Sequence, residues 1–357
     1  MARAKVLIVD DSAFMRRVIS DIIGRHPDLE VIGTARNGQE ALAKIRDLKP
    51  DVVTMDVEMP VMDGLQALET IMREDPLPVV MLSSLTQAGA DATMRALQLG
   101  AVDFVPKPSG TISLDIEKVA DVIIQKTRIA AGTRINLRKV VAPVPVFTRT
   151  EPTAPVPKPI GGSGLLEKLV VIGTSTGGPK ALHEVIPNLP AHLPAGVLVV
   201  QHMPPGFTRS LAERLNSMSA VEVKEAEHGD TVLPGHVYIA PGDFHLKVRR
   251  CTDGTGKRLV VNLTKDPLES GHRPSVDAMF DSAVAEFWAP MVGVIMTGMG
   301  ADGARAAVGI KQKGGKIIAE DKSTCIVYGM PKAVVDSGNA DKVVPLNLIA
   351  SEIVRAL

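Results

Sequence analysis

Short runs of β-branched residues alternate with stretches of helical period throughout the first 130 residues, and this alternation limits the possible folds more than any other feature. The apolar runs predict five strands, at 6–9, 31–35, 52–55, 79–82 and 103–105. The intervening and following stretches predict five helices, at 13–24, 39–48, 64–73, 90–99 and 114–131. Such a succession of βα units is typical of a doubly wound, flavodoxin-like parallel sheet, in which ligands bind at the carboxyl ends of the strands.

A segment rich in proline and glycine interrupts this pattern and predicts a linker over 131–164. Six prolines lie between 143 and 159, and Gly-Gly-Ser-Gly follows at 161–164. Such a composition supports neither a helix nor a central strand. The chain of 357 residues is long enough for two domains. We place them at 1–130 and 165–357, on either side of the linker.

The second half repeats the α/β alternation less regularly. Strand-like runs occur at 169–172, 197–201, 237–240, 259–263, 291–296, 316–319 and 342–344, and helical stretches at 180–186, 208–218, 275–286 and 303–313. The stretch 235–246 is expected to pair with 258–263 as an antiparallel hairpin. We therefore expect a doubly wound, mostly parallel α/β domain that carries a β-hairpin.

Composition argues against several classes of protein. Forty acidic and forty basic residues cancel, so no overall charge attracts nucleic acid, and no basic recognition helix is apparent. The two cysteines, Cys251 and Cys325, lie outside any CxxC motif, which argues against a disulfide scaffold or a zinc site. The apolar run at 6–9 is too short for a signal peptide, and no run approaches a membrane span. We expect a cytoplasmic protein without membrane insertion; the sequence does not give the oligomeric state, and a monomer is our expectation.

Chemically active side chains follow several strands of the first half. Asp10 and Asp11 follow the first strand and Asp56 the third, and three carboxylates at one sheet edge repel one another unless a divalent cation lies between them. Ligation by oxygen alone suits Mg²⁺. Ser83 follows the fourth strand, and Lys107, which follows the fifth, can neutralise a phosphoryl oxygen. A single aspartate at a strand end is often only a helix N-cap, but these positions together indicate a phosphorylation site.

Three segments of this half resemble the response-regulator receiver domain over about 3–125. They are Leu7-Ile-Val-Asp-Asp-Ser12, Asp51-Val-Val-Thr-Met-Asp56-Val-Glu-Met-Pro60 with Met62-Asp-Gly64, and Phe104-Val-Pro-Lys107-Pro108. The resemblance implies that Asp56 accepts a phosphoryl group from a histidine kinase. It further implies the roles of the surrounding residues: Mg²⁺ held by Asp10, Asp11, Asp56 and the backbone carbonyl of Glu58, phosphoryl contact by Lys107, and a switch formed by Ser83 and Phe104. The stretch from 83 to 107 is slightly longer than in single-domain receivers, and we place the extra length in a loop at 84–89.

Three strand ends in the second half carry residues suited to acyl transfer. Ser175 follows the strand at 169–172 in a glycine-rich turn, His202 follows 197–201, and Asp302 follows 291–296. If the sheet is parallel, these ends lie on one edge. A serine nucleophile, a histidine base and an orienting carboxylate are the groups that acyl transfer requires. Backbone N–H groups in the glycine-rich stretch around Met299 are suited to binding an oxyanion.

Each of these residues also has a purely structural explanation, which the sequence leaves open. Ser175 would cap the helix after it, His202 would end its strand, and Asp302 would cap the helix near 303.

Two other kinds of site also fit parts of the sequence. Gly173-Thr-Ser175-Thr-Gly177 satisfies the G-x-S-x-G pattern of α/β-hydrolases, in which the acid precedes the histidine. That order would need Asp230 or Asp243 together with His245 or His272. A dinucleotide site is a weaker interpretation, because 173–178 does not match G-x-G-x-x-G.

Several motifs together resemble the catalytic domain of the CheB family of chemotaxis protein-glutamate methylesterases. They are Gly173-Thr-Ser-Thr-Gly-Gly-Pro179, Gln201-His-Met-Pro204, Tyr238-Ile-Ala-Pro-Gly-Asp243, His272-Arg-Pro-Ser-Val-Asp277 and Thr297-Gly-Met-Gly-Ala-Asp-Gly303. The resemblance implies a triad of Ser175, His202 and Asp302, with Thr176 and the backbone of Met299 beside it. It leaves the chemical role of His272 and Arg273 open.

The resemblance also implies an activity. It implies a phosphorylation-activated hydrolase that releases methanol from glutamate γ-methyl esters on the cytoplasmic helices of methyl-accepting chemoreceptors and deamidates certain glutamines. In this family the unphosphorylated receiver is understood to cover the active site, and no cofactor is implied for the esterase reaction. Two rivals remain: a non-catalytic response regulator whose second half binds a partner or DNA, and a general esterase.

Overall fold

The computed structural model describes residues 3–107, 115–133, 166–253 and 256–357. The chain divides into two units, Met1–Thr150 and Glu151–Leu357, called here the first and second units. Residues 134–164 of the predicted linker, Pro108 and the predicted start of a helix at 114 lie outside the described residues.

The first unit contains a five-stranded parallel sheet with strand order β2-β1-β3-β4-β5, which confirms the predicted doubly wound fold. Its elements in chain order are β1 (Ala4–Val9), α1 (Ala13–Gly24), β2 (Leu29–Ala35), α2 (Gly38–Leu48), β3 (Val52–Asp56), α3 (Gly64–Glu74), β4 (Val79–Ser83), α4 (Gln87–Leu99), β5 (Asp103–Pro106) and α5 (Asp115–Gly132). Strands β3 and β4 are buried along their whole length, as expected for central strands of a parallel sheet.

Helix α4 begins three residues before the predicted position. The side chain of Thr86 accepts a hydrogen bond from the backbone N–H of Gly89 at 3.0 Å and caps the helix. Much of the loop expected at 84–89 is therefore the first turn of α4.

The second unit contains a seven-stranded parallel sheet with strand order β14-β13-β12-β6-β7-β9-β8 and a separate antiparallel hairpin of β10 and β11. Its elements are β6 (Lys168–Thr174), α6 (Gly178–Val185), a 3-10 turn (Ile186–Asn188), β7 (Ala195–Gln201), α7 (Phe207–Met218), β8 (Glu222–Glu225), β9 (His236–Ile239), β10 (His245–Asp253), β11 (Gly256–Thr264), α8 (Val276–Glu286), β12 (Val292–Ile295), α9 (Ala304–Gln312), β13 (Lys316–Glu320), α10 (Met330–Asp336), β14 (Lys342–Val344) and α11 (Leu346–Ala356).

The predicted hairpin is present but its first strand was misplaced. Residues of β9 pair in parallel with β7 and β8 in the main sheet, so the stretch 235–246 is not a hairpin strand. The partner of β11 is β10, which begins at His245. The hairpin packs on α8, where Leu246 and Val248 join Met279 and Phe280 in the core.

Besides β10, three of the described strands and α-helices were not predicted. Strand β8 has the sequence Glu-Val-Lys-Glu, which lacks an apolar run because the strand lies at the sheet edge. The other two are the helices α10 and α11 near the end of the chain. Among the described helices, none combines the length and apolar character that crossing a membrane requires.

The order of the strands places a crevice beside β6. The chain leaves β6 for β7, β9 and β8 on one side and returns to β12, β13 and β14 on the other. Ligands bind at such switch points, at the carboxyl ends of the strands. The residues that follow β6, β7 and β12 are therefore neighbours at this edge.

Candidate active site

The turn between β6 and α6 holds Ser175 in a tightly packed, glycine-dependent conformation. Gly177 is the N-cap of α6 and has a φ of 78°, which favours glycine. A Cβ on Gly178 would lie 1.8 Å from Thr174 Oγ1 and 2.0 Å from Gln201 Oε1. Gly177 is the N-cap of α6 and no side chain of the described residues caps that helix, so Ser175 is not its cap and that alternative is wrong.

Backbone N–H groups at this edge lack partners. Within the described part of the chain, nothing accepts a hydrogen bond from the N–H of Thr176 or of Met299. The N–H of the residue after a nucleophilic serine is a common oxyanion donor. These two groups are therefore candidates for that role.

Asp302 is buried and receives four hydrogen bonds. Its Oδ1 accepts from Ser275 Oγ at 3.0 Å and from the N–H of Asp277 at 2.9 Å, and its Oδ2 accepts from the N–H of Val276 at 2.7 Å and from His202 Nε2 at 2.8 Å. Burial by itself would raise the pKa of Asp302, but the hydrogen bond and charge of His202 and the two backbone N–H groups lower it to about 2. The carboxylate is therefore ionised at neutral pH.

Asp302 does not cap the helix that follows it. The N-cap of α9 is Gly303, with no side-chain cap bond. Asp302 instead binds the first N–H groups of α8, 26 and 25 positions earlier in the chain.

His202 lies between Asp302 and a second histidine. Its backbone N–H donates to Thr174 O at 3.1 Å. In the ring, Nε2 is hydrogen-bonded to Asp302, and Nδ1 is buried without a hydrogen-bond partner in the described residues. The ring stacks on His272, with centroids 4.0 Å apart and planes 9° from parallel. Asp302 favours the tautomer with its proton on Nε2, which leaves the lone pair on Nδ1.

The sequence left the roles of His272 and Arg273 open, and the structure gives them different contacts: His272 stacks on His202, and Arg273 forms an ion pair with Asp243. Burial, and next the electrostatic effect of the neighbouring His202, lower the pKa of His272, whose Nδ1 lies 2.7 Å from Ser270 O. Arg273 binds Asp243 through Nε at 3.1 Å and Nη2 at 2.6 Å, which anchors the loop between β11 and α8.

The acid-before-histidine arrangement of an α/β-hydrolase is not formed. Asp243 binds Arg273 and Lys265, and Asp230 binds Lys224. His245 lies 3.0 Å from the carbonyl of Pro267. The acidic partner of a histidine at this edge is Asp302, which follows His202 in the chain.

A cavity of about 390 Å³ opens beside His272, Met299 and Asp302. Ligand atoms of His202, His272 and Asp302 lie within 4.8 Å of one another, as in some metal sites. The two imidazole rings are nearly parallel, however, so their in-plane lone pairs do not converge on one ion.

The acidic residues of the first unit lie together at its sheet edge. Oxygens of Asp10, Asp11 and Asp56 lie within 4.8 Å of one another, and Lys107 Nζ lies 2.9 Å from Asp10 Oδ2 and 2.6 Å from Asp56 Oδ2. Burial raises the pKa of Asp56 to about 6, although the hydrogen bond from Lys107 opposes this. A set of carboxylate oxygens fits Mg²⁺.

The predicted switch residues occupy buried positions. The Ser83 hydroxyl donates to Gly89 O at 2.9 Å. Phe104 is buried, with Lys126 Nζ 5.1 Å from its ring centroid. Glu58 is exposed, and its N–H donates to Asp56 Oδ1 at 3.3 Å.

Sequence reasoning missed several residues that support the second site. Ser275 is the N-cap of α8 and also binds Asp302. Its position within the motif at 272–277 was visible, but its partner is 27 residues away. Thr297 and Glu320 were missed for the same reason.

Comparison with known proteins gives the family of each unit. The family model described as CheB methylesterase matches residues 170–353, more than half of the chain, and the response regulator receiver domain model matches 6–116. The chain belongs to the CheB methylesterase family. A CheB-family relative from Syntrophomonas wolfei subsp. wolfei, named protein-glutamate methylesterase/protein-glutamine glutaminase 1, is 55% identical, with 100% of both chains covered.

Relatives in Thermotoga maritima support the same assignment. The protein-glutamate methylesterase/protein-glutamine glutaminase of that organism is 47% identical, with 98% of each chain covered. The solved Thermotoga maritima CheB methylesterase catalytic domain is 48% identical, has a TM-score of 0.51, and the match covers 54% of this chain and 100% of that one.

Proposed function

We propose that the chain is a phosphorylation-activated protein-glutamate methylesterase and protein-glutamine deamidase with a catalytic triad of Ser175, His202 and Asp302. The observation that carries the proposal is the 2.8 Å bond between His202 Nε2 and Asp302 Oδ2, at the sheet edge where Ser175 follows the adjacent strand. Family membership and the names of the relatives support the substrate class.

The proposed reaction follows acyl-transfer chemistry. Ser175 Oγ attacks the γ-carbonyl carbon of the esterified glutamate while His202 Nδ1 takes the hydroxyl proton. The N–H groups of Thr176 and Met299 bind the oxyanion. His202 then returns the proton to the methoxy group, methanol leaves, and water hydrolyses the acyl-enzyme to free glutamate. On a glutamine the same steps release ammonia.

The ionised Asp302 has two functions in this scheme. Its bond to Nε2 keeps the lone pair of His202 on Nδ1, and its charge stabilises the imidazolium formed during the attack. Its other three donors hold it in place.

The first unit is proposed to control this reaction. Asp56 accepts a phosphoryl group from a histidine kinase, and Lys107 binds the transferred group. Asp10, Asp11, Asp56 and the carbonyl of Glu58 would hold Mg²⁺, which would offset negative charge on the phosphoryl oxygens. Ser83 and Phe104 would respond to phosphorylation, and the receiver would then uncover the active site.

The proposed substrates are methyl-accepting chemoreceptors, and we place the reaction in the cytoplasm, where the methylated helices lie. We propose a monomer that needs no cofactor for ester hydrolysis and does not bind nucleic acid.

Methanol release from methylated receptor membranes, measured with and without a phosphodonor, tests both parts. The Ser175→Ala variant is expected to lose release in both conditions and still accept phosphate. The Asp56→Asn variant is expected to retain the basal rate and lose the stimulation. Ser351→Ala, an exposed serine on α11, serves as the matched control.

Other outcomes would favour the rivals. Release that persists in Ser175→Ala would exclude this triad. Hydrolysis of a small ester without hydrolysis of methylated receptor would indicate a general esterase. Failure of a serine-directed phosphonyl probe to label Ser175 would indicate a non-catalytic regulator.

A further inference from the structure

Glu320 is a fully buried carboxyl group that the proposed reaction does not use. It is the last residue of β13, with 0% of its surface exposed. Its Oε2 accepts the backbone N–H of Thr297 at 2.8 Å, and its Oε1 accepts the hydroxyl of Thr324 at 2.9 Å. Burial raises the pKa of Glu320. Burying a carboxyl group costs folding free energy unless its oxygens are hydrogen-bonded.

Thr297, whose backbone N–H donates to Glu320, is hydrogen-bonded to Ser175 and Thr176 in the turn between β6 and α6. Its carbonyl accepts the N–H of Ser175 at 3.0 Å, and its hydroxyl donates to the carbonyl of Thr176 at 3.0 Å. The same hydroxyl accepts the N–H of Val327 at 3.0 Å. Thr297 therefore restrains the peptide groups on both sides of the Ser175–Thr176 bond.

These contacts determine which way the Thr176 N–H points. The peptide between Ser175 and Thr176 carries that N–H, and the Ser175 carbonyl of the same peptide accepts the N–H of Gly178 at 2.7 Å. With the carbonyl held by α6 and the flanking groups held by Thr297, the N–H keeps one direction. A misplacement of a catalytic group by about 1 Å can reduce a rate by about 10²-fold.

We propose that Glu320 and Thr297 are positioning residues that orient the Ser175–Thr176 peptide for oxyanion binding, with Glu320 acting only through Thr297. The inference rests on the proposed function. It requires a hydrogen-bond acceptor for the N–H of Thr297 at position 320 and a hydroxyl at 297, and it does not require a negative charge at 320.

Two matched pairs of variants separate these requirements. In Glu320→Gln the amide oxygen can accept from Thr297 and the amide nitrogen can donate to Thr324, whereas Glu320→Met fills similar space without an acceptor. Thr297→Ser keeps the hydroxyl, whereas Thr297→Val keeps the shape and removes it.

Steady-state kinetics of the full chain should separate the variants that keep the hydrogen-bonding group from those that lose it. We expect kcat to fall about 10- to 100-fold in Glu320→Met and Thr297→Val, with KM within about threefold of the wild type. Glu320→Gln and Thr297→Ser should keep kcat within about threefold. Hydrogen exchange of a peptide spanning 174–178 should be faster in the first two variants and unchanged in the second two.

The outcomes distinguish failure of the positioning proposal from failure of the proposed methylesterase function. Equal kcat and equal exchange within each pair would overturn it, and loss of kcat in Glu320→Gln would show that charge matters and overturn it also. If the Met variant does not fold, Glu320→Gln and the Thr297 pair still decide, because loss of kcat in Glu320→Gln or equal kcat within the Thr297 pair would overturn the proposal. If the wild type releases no methanol, the proposed function fails, while the exchange of 174–178 still shows whether the turn is held as proposed.

Discussion

The two units bury carboxylates at their sheet edges in different ways. In the first unit lysines supply the opposite charge: Lys107 contacts Asp10 and Asp56 at the carboxyl ends of the strands, and Lys126 Nζ lies 2.9 Å from Asp103 at the start of β5. In the second unit no lysine or arginine of the described residues contacts Asp302, which accepts hydrogen bonds from two backbone N–H groups, a hydroxyl and the imidazole of His202.

The difference matches what each site is proposed to do. A lysine amine on a flexible stem can change partners when a phosphoryl group arrives. Burial raises the pKa of Asp56 to about 6. Asp302, with its pKa lowered to about 2, keeps one charge at every physiological pH. The first arrangement suits a switch, and the second suits a reaction that requires constant geometry.

Replacing Asp302 should produce the largest effect. Asp302→Asn removes the charge that stabilises the His202 imidazolium, and where the amide NH₂ faces His202 it also places the proton on Nδ1, the atom that must accept the serine proton. We expect kcat for methanol release to fall about 10³- to 10⁴-fold. Ser275→Ala removes one donor to Asp302 and leaves the tautomer, so a loss below about tenfold is expected for this control. Similar losses in the two variants would show that the tautomer is unimportant.

Lys107→Met should cause the next largest effect, on stability. The change leaves Asp10 and Asp56 buried without a cation, at a cost of about 3 kcal/mol in the free energy of unfolding at neutral pH. Adding Asp56→Asn should restore about half of this loss, because only one carboxylate remains. Urea unfolding of the full chain in the presence of a chelator measures both. No recovery in the double variant would contradict the charge explanation.

Much of the fold was predictable because its signals are local. Apolar runs and glycine-containing turns predicted the parallel sheets, and the positions of the strand ends predicted which side chains lie close together. Edge strand β8 was missed because it has too few apolar residues, and β9 was assigned to the hairpin because period alone does not distinguish parallel from antiparallel partners.

The details of the sites depend on contacts between distant residues. Asp302 follows β12 as predicted, but its role as a cap for α8 depends on packing between elements 26 positions apart. Glu320 meets Thr297 across 23 positions. The bond from Ser83 to Gly89 depends on the early start of α4, which the sequence interpretation placed three residues too late.

Asp277 gives the smallest expected effect in the comparison of the two units. It is a buried carboxyl group of the second unit whose pKa is raised. Its Oδ1 accepts the N–H of Ala306 at 2.8 Å, and the half-exposed Arg305 lies 3.6 Å from its Oδ2. Burial raises its pKa from 3.8 to about 6, although the bond from Ala306 opposes this. The folded state therefore binds the Asp277 proton more tightly than the unfolded state does.

This shift gives a pH-dependent stability with a definite sign. The contribution of Asp277 is fully present below pH 3.8 and is lost as the pH rises through about 6. Asn mimics the protonated form and keeps the acceptor for Ala306. The free energy of unfolding of the wild type relative to Asp277→Asn should therefore fall by about 2–3 kcal/mol between pH 4 and pH 7. Asp281→Asn, which removes a half-exposed partner of Arg305, should change by less than about 0.5 kcal/mol over the same range. Parallel curves for wild type and Asp277→Asn would mean that Arg305 neutralises this carboxylate as lysine does in the first unit, and the contrast between the units would then apply to Asp302 and Glu320 alone.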